Sequence, residues 1–240
     1  PSVRALRGQY PQAEITAVTW NTNRSVMIGN PAVDHLYSVK NTVEAVRLLR
    51  HLQKVKIDLA VGLSHSGSAL LVFTKALEKV GFNAQYLGWL YKGEVPDRRN
   101  IHAVEYCLDV LQPLEIKHPA QSKLEFYYTQ RDQDLATSFL AECQGYPVVA
   151  MHPGGRFFPV KRWHAEGFAQ VADYLIGRLK AKVVLVGGRD DEPLAHEIAS
   201  LMENQPLIAA GLTSLKETAA IISFSDLFVG NDSAPQHLAA

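Results

Sequence analysis

The 240-residue chain has little of several features that would assign it to a specialised class of protein. Its 24 basic and 24 acidic residues cancel, so no overall charge favours nucleic acid or acidic lipid. Only two cysteines occur, Cys107 and Cys143, which excludes a disulfide framework and fits a reducing compartment. No apolar run approaches the roughly 18 residues of a membrane-spanning helix. The composition, 47% hydrophobic and 20% charged, is that of an ordinary globular protein.

Two common catalytic motifs are missing as well. No G-x-G-x-x-G follows a predicted strand, so a nicotinamide-linked oxidoreductase is disfavoured. Ser64 and His65 lie in a turn after a strand, where a nucleophile could be placed. The G-x-S-x-G elbow of serine hydrolases does not surround them, so a hydrolase site there is also disfavoured.

Strand and helix patterns alternate along the chain. Apolar segments rich in β-formers predict strands at residues 14–20, 35–39, 57–63, 83–87, 124–128, 146–151, 182–186, 206–209 and 226–229. Capping boxes at residues 41–44 and 214–217 each predict the start of a helix. Another helix is predicted over residues 69–80, ending at Gly81. This alternation predicts an α/β fold in which helices cover parallel sheets.

Two domains are expected. Residues 112–123 contain two prolines and little periodicity, and they are the predicted connection. We assign residues 1–143 to an N-terminal Rossmann-like domain and residues 144–240 to a C-terminal one. The first residue is not Met and both ends carry helical patterns, so we expect a piece of a longer protein in which both domains are incomplete.

The turn after the strand at residues 146–151 suits phosphate. Gly154 and Gly155 leave backbone N–H groups accessible to a ligand. Lys161 and Arg162 follow, and a diphosphate would accept charge-assisted hydrogen bonds from such groups. Lys161 is therefore the predicted phosphate contact. The alternative is that Lys161 and Arg162 form a solvated pair on an exposed loop.

Polar turns follow two later strands. Glu192 could accept the hydroxyls of a ribose, although residues 190–192 also suit the positive end of a helix without any ligand. Asp232 and Ser233 can cap the last helix, and the same turn can bind phosphate. His237, one turn further on, is either part of that site or a packed or solvent-facing residue.

Two segments carry a specific resemblance. HPGGRFFPVKRW and VGNDSAPQHLAA resemble the C-terminal motifs of glycosyltransferase family 9, the bacterial ADP-heptose:lipopolysaccharide heptosyltransferases, and VLVGGRDDE lies between them at matching spacing. PSVRALRGQYPQAEITAVTW is similar to the family's first helix and second strand. The resemblance implies a GT-B fold, with two Rossmann-like domains facing a cleft. It also implies inverting, metal-independent transfer of heptose from ADP-heptose to the lipopolysaccharide inner core. No cofactor is implied, because the nucleotide sugar is a substrate.

The resemblance also implies residue roles. Lys161 matches the lysine that contacts the donor phosphate, and Glu192 matches the acid that holds the ribose. Asp232 and Ser233 match the turn that meets the diphosphate and the donor sugar. The predicted donor site consists of His152, Gly154, Gly155, Lys161, Glu192, Asp232, Ser233 and His237.

One expected part lies outside the chain. The family's general base is an aspartate whose turn would precede Pro1, so this 240-residue chain is expected to bind a donor without turnover. The family's substrates imply a cytoplasmic location that allows peripheral contact with the inner membrane, and no nucleic-acid partner is expected. Two alternatives stay open: a family member that uses another nucleotide sugar, and a non-catalytic nucleotide-sugar-binding module.

Overall fold

The computed structural model describes residues 1–82, 94–95, 100–116, 123–155, 160 and 162–240. The chain divides into two compact units, Pro1–Glu125 and Phe126–Ala240. Along the sequence, the boundary between the units precedes the predicted domain limit at residue 143. The helix Gln130–Phe139 therefore belongs to the second unit.

The first unit contains two parallel sheets. One pairs β1 (Thr16–Trp20) with β2 (His35–Val39), and the other has the order β3 (Leu59–Gly62), β4 (Glu78–Phe82) and β5 (Glu94–Val95). The helices are α1 (Ser2–Gln9), α2 (Arg24–Met27), α3 (Thr42–Leu52), α4 (His65–Leu70) and α5 (Ala103–Asp109). Asn41 caps α3 by accepting a hydrogen bond from the Glu44 N–H at 2.9 Å, which confirms the predicted helix start.

The prediction of a helix over residues 69–80 is wrong. Helix α4 begins earlier because Ser64 Oγ accepts a hydrogen bond from the Gly67 N–H at 3.0 Å. One 3₁₀ turn follows, in which Thr74 Oγ1 donates to the Leu71 carbonyl at 2.8 Å. The chain is then free to form β4, which pairs with β3 over four residues.

The Ser68 side chain of α4 joins β3 to β4, the strand that contains Gly81. The buried Ser68 hydroxyl donates to the Gly62 carbonyl of β3 at 3.1 Å and accepts from the Phe82 N–H of β4 at 2.9 Å. A Cβ on Gly81 would lie 2.6 Å from Ser68 Oγ. Gly81 therefore permits α4 to pack closely on β4. The strand predicted at residues 83–87 lies outside the described residues.

The strand predicted at residues 124–128 is also wrong. Side chains satisfy carbonyl groups along this segment: Arg4 donates to the Lys123 carbonyl, and Lys216 Nζ donates to the Tyr127 carbonyl at 2.9 Å. The boundary between the two compact units lies within this extended segment.

The second unit is built on one parallel sheet with the strand order β8-β7-β6-β9. Its strands are β6 (Val148–His152), β7 (Lys182–Leu185), β8 (Leu207–Ile208) and β9 (Leu227–Gly230), which confirms the four strands predicted after residue 143. Its helices are α6 (Gln130–Phe139), α7 (Ala165–Leu179), α8 (Glu192–Leu201), α9 (Leu215–Ser223) and α10 (Ala234–Ala239). The predicted capping box of α9 is confirmed, because Ser214 and Glu217 each bond to the other's backbone N–H.

Apolar side chains cover both faces of this sheet. Helices α7 and α8 pack on one face, with Met151, Phe168, Leu185 and Ile198 in the core. Helices α6 and α9 pack on the other face. Every residue of β6 is buried, as expected of a central parallel strand. None of the helices in the described part of the chain is long and apolar enough to cross a membrane.

Candidate functional site

The strand order of the second unit creates a switch point between β6 and β9. Helix α7, which follows β6, packs on one face of the sheet, whereas Leu238 of α10, which follows β9, packs on the other. The chain therefore leaves the carboxyl ends of these neighbouring strands towards opposite faces. Open α/β sheets bind ligands in the crevice that such a switch point opens.

Three turns at this edge of the sheet contain or adjoin the predicted site residues. We call them the β6 turn (residues 153–155), the β7 turn (residues 186–191) and the β9 turn (residues 231–233). They lie side by side because β7, β6 and β9 are neighbours in register, with His152 paired to Gly230. The sequence could place each turn at a strand end, and the sheet order brings the three ends together.

A chain of hydrogen bonds joins the three turns through His152. Its Nδ1 lies 2.9 Å from Ser233 Oγ, and its Nε2 lies 3.4 Å from Asp191 Oδ2. His152 is only 4% exposed. Both ring nitrogens thus contact protein groups, and His152 connects Ser233 of the β9 turn to Asp191 of the β7 turn.

Asp191 is the charged residue in this series of hydrogen bonds. Its Oδ2 also accepts a hydrogen bond from the Gly188 N–H at 3.0 Å, and a Cβ on Gly154 would overlap the carboxylate. Burial would raise the pKa of Asp191, but hydrogen bonds from His152 and Gly188 and the charge of Arg162 outweigh it, so the pKa lies below its ordinary value. Asp191 is therefore ionised at neutral pH.

Asn231 ties the β9 turn to the β6 turn. Its buried side-chain amide donates to the Pro153 carbonyl at 2.7 Å and to the Gly154 carbonyl at 3.2 Å. Its Oδ1 accepts from the Trp163 N–H at 3.1 Å, at the start of the segment that leads into α7. One side chain thus fixes three backbone positions around the switch point.

The other predicted residues lie around this centre. The half-buried Glu192 is the first residue of α8. Its carboxylate lies against Gly211, where an added Cβ would be 2.7 Å from Glu192 Oε2. Gly211 also has a φ of +78°. Asp232 and His237 are exposed, on the β9 turn and α10. Arg162 is exposed as well, and its Nε donates to the Gly155 carbonyl at 2.9 Å.

Lys161 lies outside the described residues, as do residues 156–159. Its predicted contact with phosphate stays a prediction, and so do the ligand contacts expected of the other site residues. Within the described ranges, no group of three or more His, Cys, Asp or Glu side chains is arranged to hold a metal ion.

Sequence reasoning missed two residues of the site. It attributed Asp191 to the helix dipole together with its acidic neighbours, whereas Asp191 is bonded to His152 across the sheet edge. It assigned no role to Asn231, which makes hydrogen bonds to residues 68 to 78 positions away. For Asn231 a signal was available, because it is a polar residue directly after β9 and neighbouring strand ends meet.

Parallel sheets covered by helices, in two compact units, are the architecture of a GT-B fold, and solved structures of GT-B-type proteins match the chain. The family can be stated as well. The model of glycosyltransferase family 9 (heptosyltransferase) matches residues 45–240, and the chain belongs to this family.

Known relatives agree with this assignment. Lipopolysaccharide heptosyltransferase 3 of Escherichia coli is 28% identical, and the match covers 100% of this chain and 75% of that protein. The crystal structure of the glycosyl transferase family 9 from Veillonella parvula has a TM-score of 0.87 at 27% identity, covering 99% of this chain and 71% of that one. Escherichia coli ADP-heptose lps heptosyltransferase II has a TM-score of 0.79 at 21% identity, covering 99% and 76%, which shows the fold alone.

Proposed function

We propose that the protein transfers heptose from ADP-heptose to a sugar hydroxyl of the lipopolysaccharide inner core. The observation that carries the proposal is the set of three hydrogen-bonded turns at the switch point, in a chain of the heptosyltransferase family. The name of the E. coli relative supports lipopolysaccharide as the acceptor. The name of the neighbouring E. coli structure supports ADP-heptose as the donor.

The second unit binds the donor in this proposal. Lys161 and the backbone N–H groups of the β6 and β9 turns bind the diphosphate, and Glu192 accepts hydroxyls of the ribose. The half-buried Asp191 carboxylate accepts hydrogen bonds from His152 and from the Gly188 N–H, and in this proposal it orients His152 and contacts no phosphate. The nucleotide sugar is a substrate, and the proposed reaction uses no cofactor.

The proposed reaction is a single displacement. The acceptor hydroxyl attacks the anomeric carbon of the heptose while a base takes its proton, and the bond to the β-phosphate breaks with its electron pair leaving on ADP. Attack opposite the leaving group inverts the anomeric carbon. Lys161 and fixed backbone N–H groups stabilise the charge on the departing phosphate without a metal, and one such preorganised donor contributes about 3–4 kcal/mol. Lys161→Ala should therefore lower turnover roughly a hundredfold or more.

The test is a transfer reaction with the natural full-length protein, ADP-heptose and heptose-deficient lipopolysaccharide, with and without EDTA. Heptosylated product detected by mass spectrometry, at an equal rate with and without EDTA, is expected. The anomeric configuration of the product, measured by NMR, should be opposite to that of the donor. Transfer from a different nucleotide sugar alone would overturn the donor assignment. A rate that disappears in EDTA and returns with Mg²⁺ would overturn metal independence, and a retained configuration would overturn inversion.

A further inference from the structure

Helix α3 of the first unit presents an exposed stripe of basic side chains. Arg47, Arg50 and Lys54 are all exposed. Together with the exposed Val43 they recur at the spacing i, i+4, i+7 and i+11, which places them on one side of a helix. The helical turn continues past the end of α3, because the Lys54 N–H donates to the His51 carbonyl at 3.2 Å. The three cations therefore share one side of the helix.

Few acidic groups lie near these cations along the chain. Residues 42–56 contain four Lys and Arg residues and a single acidic residue, Glu44, in a chain whose formal net charge is zero. Glu44 Oε2 accepts a hydrogen bond from the Lys40 N–H at 2.9 Å at the start of the helix. Within the part of the chain that the structure describes, none of the three cations forms an ion pair. Their positive charge is therefore available to a partner.

Exposed apolar side chains lie beside the cations. Val43 is 60% exposed and Val55 is 63% exposed, at opposite ends of the stripe. Leu77, which is 71% exposed, adjoins the second end, because its N–H donates to the Ile57 carbonyl at 3.0 Å. Cations interspersed with apolar side chains suit the surface of an anionic bilayer, where the cations meet lipid phosphate and the apolar groups enter the layer beneath it.

We propose that this side of α3 docks on a membrane that contains anionic lipid. We call it the α3 surface, and it consists of Val43, Arg47, Arg50, Lys54 and Val55. The choice of a lipid partner rests on the proposed function, since a lipopolysaccharide acceptor carries a lipid part that lies in a membrane. A nucleic acid would pair with the cations but would leave the valines in water. Docking brings the protein to its acceptor without contributing to either substrate site.

The experiment is co-sedimentation of the natural full-length protein with phosphatidylcholine vesicles, with and without phosphatidylglycerol. Each basic side chain beside an anionic surface raises partitioning about fivefold. Arg47→Gln/Arg50→Gln/Lys54→Gln should therefore lower partitioning onto the anionic vesicles about tenfold or more. Glutamine keeps a helix propensity close to that of arginine and lysine, so α3 should still form. Circular dichroism verifies this.

The matched control removes the same charge from the second unit. Arg131→Gln/Arg178→Gln/Lys180→Gln replaces three exposed basic residues there. It should change partitioning less than about twofold, because these cations lie outside the α3 surface. Salt provides another check on the charge. At about 1 M the screening length falls to about 3 Å, so the difference between the unsubstituted protein and the α3 variant should disappear.

Three results would overturn the inference. Equal losses in both triple variants would assign the binding to overall charge, and undiminished partitioning of the α3 variant would assign it to another surface. Absence of vesicle binding by the unsubstituted protein would leave a nucleic acid or an acidic protein as the partner of the cations. Transfer to a detergent-solubilised acceptor separates these results from the proposed function. Transfer without vesicle binding refutes docking alone, and vesicle binding without transfer refutes the proposed function alone.

Discussion

Replacing Asn231 should destabilise the second unit more than any exposed asparagine does. Asn231 is 8% exposed, and its amide makes three hydrogen bonds: to the Pro153 and Gly154 carbonyls and from the Trp163 N–H. Asn231→Ala removes all three and leaves the backbone groups at the switch point without these partners. A hydrogen bond of this kind contributes about 1 kcal/mol net, so the free energy of unfolding should fall by about 3 kcal/mol.

Urea unfolding followed by circular dichroism measures this loss. With a slope of about 2 kcal/mol per molar urea, the midpoint of the transition should fall by about 1.5 M. Asn231→Asp has the same shape but cannot donate to the two carbonyls, so it should cost at least as much. Hydrogen exchange should show faster exchange of the Trp163 amide in Asn231→Ala, whereas Asn231→Asp keeps an oxygen that can accept from this N–H.

Asn204 is the matched control. It is exposed, and its backbone N–H and its side-chain amide each donate to the Asp173 carboxylate at 3.1 Å. Asn204→Ala should cost less than about 1 kcal/mol. The reasoning is refuted if Asn231→Ala costs no more than Asn204→Ala, because the three turns would then not depend on the buried amide.

Two further predictions concern polar side chains that join separate elements of the fold. The pKa of Asp191 is depressed below 3.8 in the folded protein, so its contribution to stability is complete well above that pH and is lost as pH falls through the folded pKa. The stability of the unsubstituted protein relative to Asp191→Asn should decline over this acid range and stay constant above about pH 5; a constant difference down to pH 2 would contradict it. Ser68→Ala leaves the Gly62 carbonyl and the Phe82 N–H without their bridge and should cost about 2–3 kcal/mol in urea unfolding. The exposed Ser66→Ala is its control, and equal losses would contradict the bridging role.

Local patterns predicted the strands of the second unit well because each is short and apolar, and the central strands β6 and β7 are largely buried. Every residue of β6 is buried, and the capping box of α9 fixes a helix start within four residues of sequence. The fold class follows from such local signals. The helix predicted over residues 69–80 failed because α4 begins at the Ser64 cap and residues 78–82 pair as β4, to which the Ser68 hydroxyl bonds across 14 positions of sequence.

The site could be located but not resolved from the sequence. Strand ends predict where His152 and Ser233 lie, and the sheet order brings them within 2.9 Å. The bond between His152 and Asp191 joins residues 39 positions apart, and no spacing rule predicts it. Asp191 therefore looked like an ordinary acid at a helix start, since a charge at that position suits the helix dipole without any partner.

The central claim is that the turns at the carboxyl ends of β6, β7 and β9 bind the nucleotide. Calorimetric titration of ADP into the natural full-length protein and its Lys161→Ala variant tests this most directly, with Lys56→Ala, an exposed lysine of the first unit, as the control. A saturable heat of binding that weakens about tenfold or more in Lys161→Ala and stays unchanged in Lys56→Ala is predicted. Equal affinity in all three proteins would contradict the placement of the diphosphate beside the β6 turn.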